Sequence, residues 1–335
     1  HHFGTNLLQY MFVACLHMMF VLVVGHLYLS KPACNLKKVA FPRSETKNPR
    51  FCPAILLQAL NENMSKVIII TGASSGFGKA CAEHLVQVGH RVYGTSRRAQ
   101  FPQEAIDHLQ PQLIPMDVCS EKSVHAAVNF ILKREKHIDV VVNNAGMGVA
   151  GAVEDTSVEE AKALFDTNFF GALRVCRAVL PTFRSQKSGL IINISSLGGL
   201  VTLPFQGLYS ASKYALESVS DALRMEVKPD GIKVVVVEPG DFRTNFSESR
   251  VVSAQSNESS PYKQRCDRAL AVMAKDESEG YDPQLLAELL GQIIKTKSPR
   301  HRYSIGPLSQ RVAIGLRWLM PSWLRDRVLM LLYRV

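Results

Sequence analysis

KVIIITGASSGFG, residues 66 to 78, joins a wholly apolar, β-branched run to a glycine-rich turn, and a helical pattern follows from Lys79 to Val88, ending at Gly89. An uninterrupted apolar run of this length is the pattern of a strand buried on both faces of a parallel sheet. Strand, glycine turn and helix in this order aim a helix N-terminus at a phosphate group. Gly72 permits the tight turn, Gly76 lets backbone approach a pyrophosphate, and Gly78 allows close helix packing. Ser74, Ser75 and Phe77 belong to the same turn and count as binding candidates with it.

Outward from this stretch the pattern repeats. A second strand, Arg91 to Ser96, ends in Arg97-Arg98, about twenty residues past the glycine turn. An acid there accepts from a ribose hydroxyl, whereas arginine suits a 2′-phosphate, so NADP is expected in preference to NAD. Leu113 to Met116 forms a third strand leading to Asp117-Val118, and an amphipathic helix is expected over residues 121 to 136. A fourth strand, Ile138 to Val142, opens into Asn143-Asn144-Ala145-Gly146, the amides and small residues that a ligand lying across a sheet edge requires. Residues 157 to 185 read as one long helix that Pro181 bends or ends, with Asn168 among Phe165, Phe169 and Phe170. Further strands are expected at Ser188 to Ser195, Gly231 to Val237 and Arg300 to Gly306, with Pro239-Gly240 and Thr244 following the second of these. Alternation of this kind over residues 64 to 306, without internal repeats, specifies a Rossmann-like, doubly wound parallel sheet with ligands outside the C-terminal ends of its strands.

One stretch carries candidate chemistry. LIINISSLGGLVTLPFQGLYSASKYAL, residues 190 to 216, sets Ser195-Ser196 at a strand end and then Tyr209 and Lys213, one helical turn apart. A phenol titrates near ~10, and an adjacent cation favours its ionised form, so the pair is expected to bring a tyrosine toward proton exchange at neutral pH. Singly, each residue has a bland explanation: the serine caps a strand, the tyrosine and lysine decorate a helix, and Asn168 is a core amide.

Together these motifs resemble the short-chain dehydrogenases/reductases over about Ser65 to Thr244. They comprise TGASSGFG, Asp117 as the adenine-side acid, NNAG at 143 to 146, Asn168, Ser196 and YSASK at 209 to 213. Pro239-Gly240 with Thr244 is similar to the family's segment beside the nicotinamide. The resemblance implies an NAD(P)-dependent oxidoreductase interconverting a carbonyl and an alcohol, with Tyr209 as general acid/base. It implies that Lys213 lowers the Tyr209 pKa and holds the nicotinamide ribose, that Ser196 bonds the substrate oxygen, and that Asn168 holds a relay water. Family spacing to the tyrosine selects Ser196 over Ser195, and a dimer or tetramer is implied. The rival readings are a dinucleotide-binding scaffold or sensor without turnover, and a sugar-nucleotide epimerase or dehydratase on the same fold.

Charge argues against a nucleic-acid partner. The net +10 resides at the ends, since residues 1 to 63 carry six basic against two acidic residues, residues 295 to 335 nine against one, and the part between twenty-four against twenty-six. The seven cysteines are scattered, which suits a reducing compartment, and the histidines His84, His90, His108, His125 and His137 have no ligand spacing, so no metal is assigned. Leu7 to Leu29 carries no charge and is long enough to cross a bilayer, with Lys31, Lys37, Lys38 and Arg43 after it; residues 31 to 63 read as a linker. Two readings of residues 1 to 63 stand together: an anchor that leaves the catalytic part in the cytoplasm, or an extension preceding Met64 and a soluble cytoplasmic protein. Asn245 to Asp276 reads as a polar covering loop, and residues 307 to 335 as a basic amphipathic helical tail. That tail suits a membrane surface or the entrance for a lipophilic steroid-, retinoid- or fatty-ketone-like substrate, or else a helix packed on the domain.

Overall fold

The computed structural model describes residues 65–102, 109–316 and 320–335. The Leu7 to Leu29 segment, the linker after it, His108 and Trp318 lie outside the described residues.

Nine strands form. They are β1 Val67–Ile70, β2 Arg91–Ser96, β3 Gln112–Pro115, β4 Val140–Asn143, β5 Val149–Ala150, β6 Gly189–Ile194, β7 Ile232–Pro239, β8 Val251–Val252 and β9 Arg302–Ile305. Seven of them make one parallel sheet in the order β3-β2-β1-β4-β6-β7-β9, as the alternating pattern requires. In β1 every residue is buried, and its side chains divide between two cores. Val67 and Ile69 join the core under α2 (Glu121–Glu135) and α4 (Gly171–Gln186), where they meet Val124, Ile131, Val179 and Phe183. Ile68 and Ile70 join the core under α1 (Gly76–Gln87), with Cys81 and Leu85. Full burial of each such side chain is worth about 1.5–3 kcal/mol, which is why a strand apolar on both faces specifies a sheet covered on both faces.

Strand order reverses between β1 and β4, where β1 pairs with β2 on one side and β4 on the other. The loops leaving β1 and β4 diverge there, and a crevice opens at the C-terminal edge.

Several elements depart from the sequence reading. α1 starts at Gly76, three residues before the apolar periodicity. The long helix expected over 157 to 185 is α3 (Val158–Phe165), a π-helical turn Asp166–Phe170 and then α4. Pro181 does not end α4, which runs on to Gln186 with the proline on its solvent face. There the missing N–H costs a bond water can replace. Asn245 to Asp276 is not a loop. It holds a short helical turn Phe246–Ser249, β8 paired parallel with β5, and most of α6 (Lys263–Ser278), which buries Cys266, Ala269 and Met273. Those residues at i, i+3 and i+7 give a narrow apolar stripe on a helix that is otherwise polar, so composition hid it. α7 (Pro283–Lys295) packs beside α1, with Leu286, Ala287, Leu290 and Ile293 buried and Asp282 capping its N-terminus. The tail forms α8 (Leu308–Leu316) and α9 (Ser322–Leu332), and among the described residues no helix is long and apolar enough to cross a membrane.

The glycine turn packs closely against its neighbours. A Cβ on Gly78 would lie 2.3 Å from the Gly72 carbonyl oxygen and 2.6 Å from Asn144 Nδ2. Gly78→Ala is therefore expected to destabilise the protein by about 2 kcal/mol, within the range for overpacking a close contact. Thermal unfolding of the variant checks this, and an unchanged Tm would contradict the packing.

Candidate active site

The floor of the crevice is made of hydrogen bonds between the loops after β1 and β4. Thr71 Oγ1 accepts from the Asn144 and Ala145 N–H groups, both at 2.9 Å, and Asn144 Nδ2 donates to the Thr71 and Gly72 carbonyls at 2.9 and 3.1 Å. Gly72 and Gly76 adopt φ of +67° and +52°, backbone that a side chain disfavours. A Cβ at Gly76 would find no neighbour nearer than Thr244 Cβ at 4.0 Å, so backbone is open to a ligand at that point. Ser75 is the N-cap of α1 without a side-chain bond, Ser74 beside it is exposed, and no acid occupies the first turn. The positive end of α1 is thus left for an anion. Phe77 turns its ring away and packs edge-on against Phe242, 5.0 Å between centroids.

Arg97 and Arg98 project exposed from the end of β2, with no acidic partner for either guanidinium among the described residues. Asp117 follows β3; its Oδ1 accepts from the Cys119 N–H at 3.0 Å. Val118 is a packing residue, buried against Gly171. Asn143 also faces inward. Its Nδ2 donates to Asn193 Oδ1 at 2.8 Å, and Asn193 Nδ2 in turn donates to Ser220 Oγ at 2.8 Å, so the amide joins a buried ladder under the sheet edge. Of the four NNAG residues, Asn144, Ala145 and Gly146 line the crevice side of β4.

Asn168 sits in the π-helical turn and clasps one residue. Its Oδ1 accepts from the Met147 N–H at 2.8 Å and its Nδ2 donates to the Met147 carbonyl at 2.9 Å, with Ser212 Oγ at 3.2 Å. The extra residue of a π turn moves this side chain out of helical register so that it reaches across.

Ser196 follows β6 and Tyr209 and Lys213 lie on α5 (Gly207–Val227), which packs against that strand's exit. Ser196 Oγ accepts from the Gly198 N–H at 3.0 Å and lies on the side of the Tyr209 phenol, whose ionised form it favours. Ser195 points the other way, toward Gly199 and Glu217, which separates the two serines by direction. Lys213 Nζ donates to the Ile194 carbonyl at 2.9 Å and stands 5.9 Å from the Tyr209 ring centroid.

The electrostatics correct one expectation. Burial pushes the Tyr209 phenol up to about 12, and the neighbouring Ser196 hydroxyl only partly offsets this. Burial likewise brings Lys213 down to about 8, opposed by the nearby Glu217 carboxylate. Burial outweighs the nearby charges at both groups, because each loses hydration of its charged form. At neutral pH Tyr209 is protonated and Lys213 charged, the states of a proton donor beside a fixed cation.

Pro239 ends β7, and Gly240 donates its N–H to the Ile305 carbonyl at 2.7 Å. A Cβ on Gly240 would strike Gln310 Oε1 at 2.3 Å, because α8 lies against this segment and Gln310 bonds both the Asp241 N–H and its carboxylate. Thr244 Oγ1 accepts from the Phe246 N–H at 3.3 Å, and the Phe246 ring lies 5.7 Å from that of Tyr209. The sequence reading missed the groups above this ring. Arg250, 4% exposed, pairs with Glu277, and both charges act on Tyr209 with opposite signs. They are twenty-seven positions apart, and no spacing rule connects them. Among the described residues no group of three His, Cys, Asp or Glu side chains could hold a metal.

Comparisons with known proteins agree with this arrangement. The model of the short chain dehydrogenase family matches residues 66–254. A 3-ketodihydrosphingosine reductase of Bacteroides thetaiotaomicron is 42% identical over 270 residues, covering 81% of this chain and 97% of the relative. A dehydrogenase/reductase SDR family member 7B of Danio rerio is 34% identical, covering 77% and 82%. The crystal structure of a short-chain dehydrogenase from Streptomyces avermitilis superposes with a TM-score of 0.65 at 36% identity, covering 75% of this chain and 92% of that one. The seven-stranded sheet, the glycine turn at its switch point and these matches lead to one conclusion: the chain belongs to the short-chain dehydrogenase/reductase family of oxidoreductases, whose fold binds a nicotinamide dinucleotide.

Proposed function

We propose that this oxidoreductase reduces the carbonyl of a lipophilic ketone with NADPH, using Tyr209 as the proton donor. The observation that carries the reading is the meeting of Ser196, Tyr209 and Lys213 at the exit of β6, on the side of the sheet edge where Gly146 stands 3.8 Å, Cβ position to Nζ, from Lys213. A bound nicotinamide supplies the hydride. The open backbone at Gly76 and the uncapped N-terminus of α1 fit a pyrophosphate, Arg97 and Arg98 a 2′-phosphate, Asp117 and Asn144 to Gly146 the adenosine and ribose side, and Pro239 to Thr244 the nicotinamide side.

Ser196 holds the substrate oxygen and Tyr209 delivers a proton to it as negative charge develops. Lys213 supplies positive charge beneath them and reaches toward the ribose. Asn168 fixes the Met147 backbone and keeps a relay water in place. Around Tyr209 lie Val149, Leu164, Met147, Leu208 and Phe246, an apolar setting that excludes water from the transferred proton and accepts an aliphatic substrate. The relative named 3-ketodihydrosphingosine reductase supports a long-chain ketone as the substrate class. The tail supports it too, since Trp323, Leu331 and Leu332 are exposed on α9 beside Arg325 and Arg327, a surface that suits lipid headgroups.

Oxidation of NADPH followed at its absorbance, over ketones of increasing chain length, tests the reading; kcat/KM is expected to rise with chain length, and turnover of none of them overturns it. Tyr209→Phe is expected to lower kcat by at least roughly 10²-fold with NADPH affinity unchanged, and half-maximal activity in that variant would remove Tyr209 from the proposed role. Arg97→Ala is expected to weaken NADPH by about tenfold or more while leaving NADH nearly unaffected, measured by fluorescence titration; equal losses would refute the 2′-phosphate contact.

A further inference from the structure

Behind Lys213, on the side away from Tyr209, a second set of charges is buried that the proposed chemistry does not use. Glu217 lies one turn further along α5 on the same helical face and is 6% exposed; Glu238, at the end of β7, is 1% exposed. Neither carboxylate is left to itself. Arg302, from the edge strand β9, donates through Nε to Glu217 Oε2 at 3.1 Å and stands 3.3 Å from Glu238 Oε1. Its Nη1 and Nη2 grip both oxygens of Asp221 at 3.0 and 2.7 Å, and Ser304 of the same strand donates to Glu238. Arg224 flanks Asp221 at 3.9 Å. The Ser195 hydroxyl faces the Glu217 carboxylate from the loop after β6 without closing a well-aligned hydrogen bond, and Glu217 Oε1 has no hydrogen bond of its own.

The set comprises three carboxylates and three cations, Lys213 being the one at its inner end. Burying a carboxylate without compensation costs several kcal/mol. A fold that needed Glu217 only as a helix residue could have placed an apolar side chain in this buried position at no such cost. The carboxylate is kept one helical turn from the buried Lys213 ammonium, whose hydrogen bond in the structure goes to a neutral carbonyl.

We propose that Glu217, clamped by Arg302, is a positioning residue for Lys213: it is the counter-charge that keeps the ammonium ionised and held under the Ile194 carbonyl. Its effect passes through Lys213 and reaches no substrate atom. Burial alone disfavours the ammonium, and Glu217 is the charge that opposes it. Burial raises the Glu217 carboxyl, and Ser195 acquires a role in the same scheme as the hydroxyl that, with Arg302, opposes burial and favours the ionised carboxylate. The titratable and charged groups facing Glu217 are Lys213 and Asp221 on its own helix, Arg302 on β9 and Glu238 on β7.

This inference builds on the proposed role of Lys213, and its test separates the two. Protein labelled with ¹³C at lysine Cε is titrated by NMR without cofactor, the Lys213 resonance being identified by its loss in Lys213→Met. The Lys213 midpoint is expected near about 8. In Glu217→Gln, which keeps the shape and removes the charge, it is expected to fall by roughly one pH unit, and in Glu217→Asp to return most of the way. The alkaline limb of kcat/KM for ketone reduction is expected to move with it, while the rate at pH 6 stays near wild type. A Lys213 midpoint unchanged in folded Glu217→Gln overturns the proposal, as does a rate lowered by the same factor at every pH. If Glu217→Gln does not fold, Ser195→Ala carries the test: a smaller fall of the same sign is expected, and an unmoved midpoint overturns it. Absence of turnover in the wild-type protein, with the midpoint shift intact, would reject the ketone-reductase reading alone.

Discussion

The bond from Thr71 to the backbone of Asn144 and Ala145 is the constraint on which the crevice depends. β1 and β4 are neighbours, yet their loops leave in opposite directions because the strand order reverses there. Diverging loops expose backbone N–H groups that need partners. One threonine hydroxyl accepts two of them, and the Asn144 amide returns two donors to the Thr71 and Gly72 carbonyls. With the loops tied, the N-terminus of α1 is pressed against them so closely that only glycine fits at position 78. The phosphate-facing turn and the NNAG segment are thus parts of one hydrogen-bonded unit.

A second tie holds the other wall. Asn168 satisfies both backbone groups of Met147 from within a π-helical turn, and Ser212 on α5 joins it. α5 therefore meets the β4 loop through side chains, and the helix that carries Tyr209 and Lys213 is held in register with the crevice. The low dielectric of this packed region makes each charge there depend on its partners. Burial drives both Tyr209 and Lys213 toward their neutral forms, and the Glu217 carboxylate one turn away opposes this at Lys213. The edge strand β9 is tied to α5 through Arg302, which bonds Glu217 and Asp221.

Much of this was legible in the sequence, for identifiable reasons. The β-branched runs 67 to 70, 140 to 142 and 234 to 237 are apolar on both faces, and such runs are stable only between two helical layers. Gly72 was read as permitting a tight turn and Gly76 as letting backbone approach a ligand, and both adopt positive φ. The four-residue step from Tyr209 to Lys213 held because α5 is an uninterrupted helix. α6 was read as a loop because its buried stripe is only Cys266, Ala269 and Met273 amid charge, and the π turn at Asn168 has no periodicity of its own that a sequence could reveal.

By itself, the sequence determined the parallel sheet, the place of the glycine turn within it and the set of side chains offered to the crevice, since these follow from local periodicity and spacing. Only the tertiary structure decided their charge and direction. Ser195 and Ser196 are adjacent in the chain but face Glu217 and Tyr209 respectively, Asn143 turns inward while Asn144 turns to the crevice, and Arg302 meets Glu217 across eighty-five positions. Direction and ionisation depend on burial and on partners from distant strands, and those distances exist only once the chain has folded.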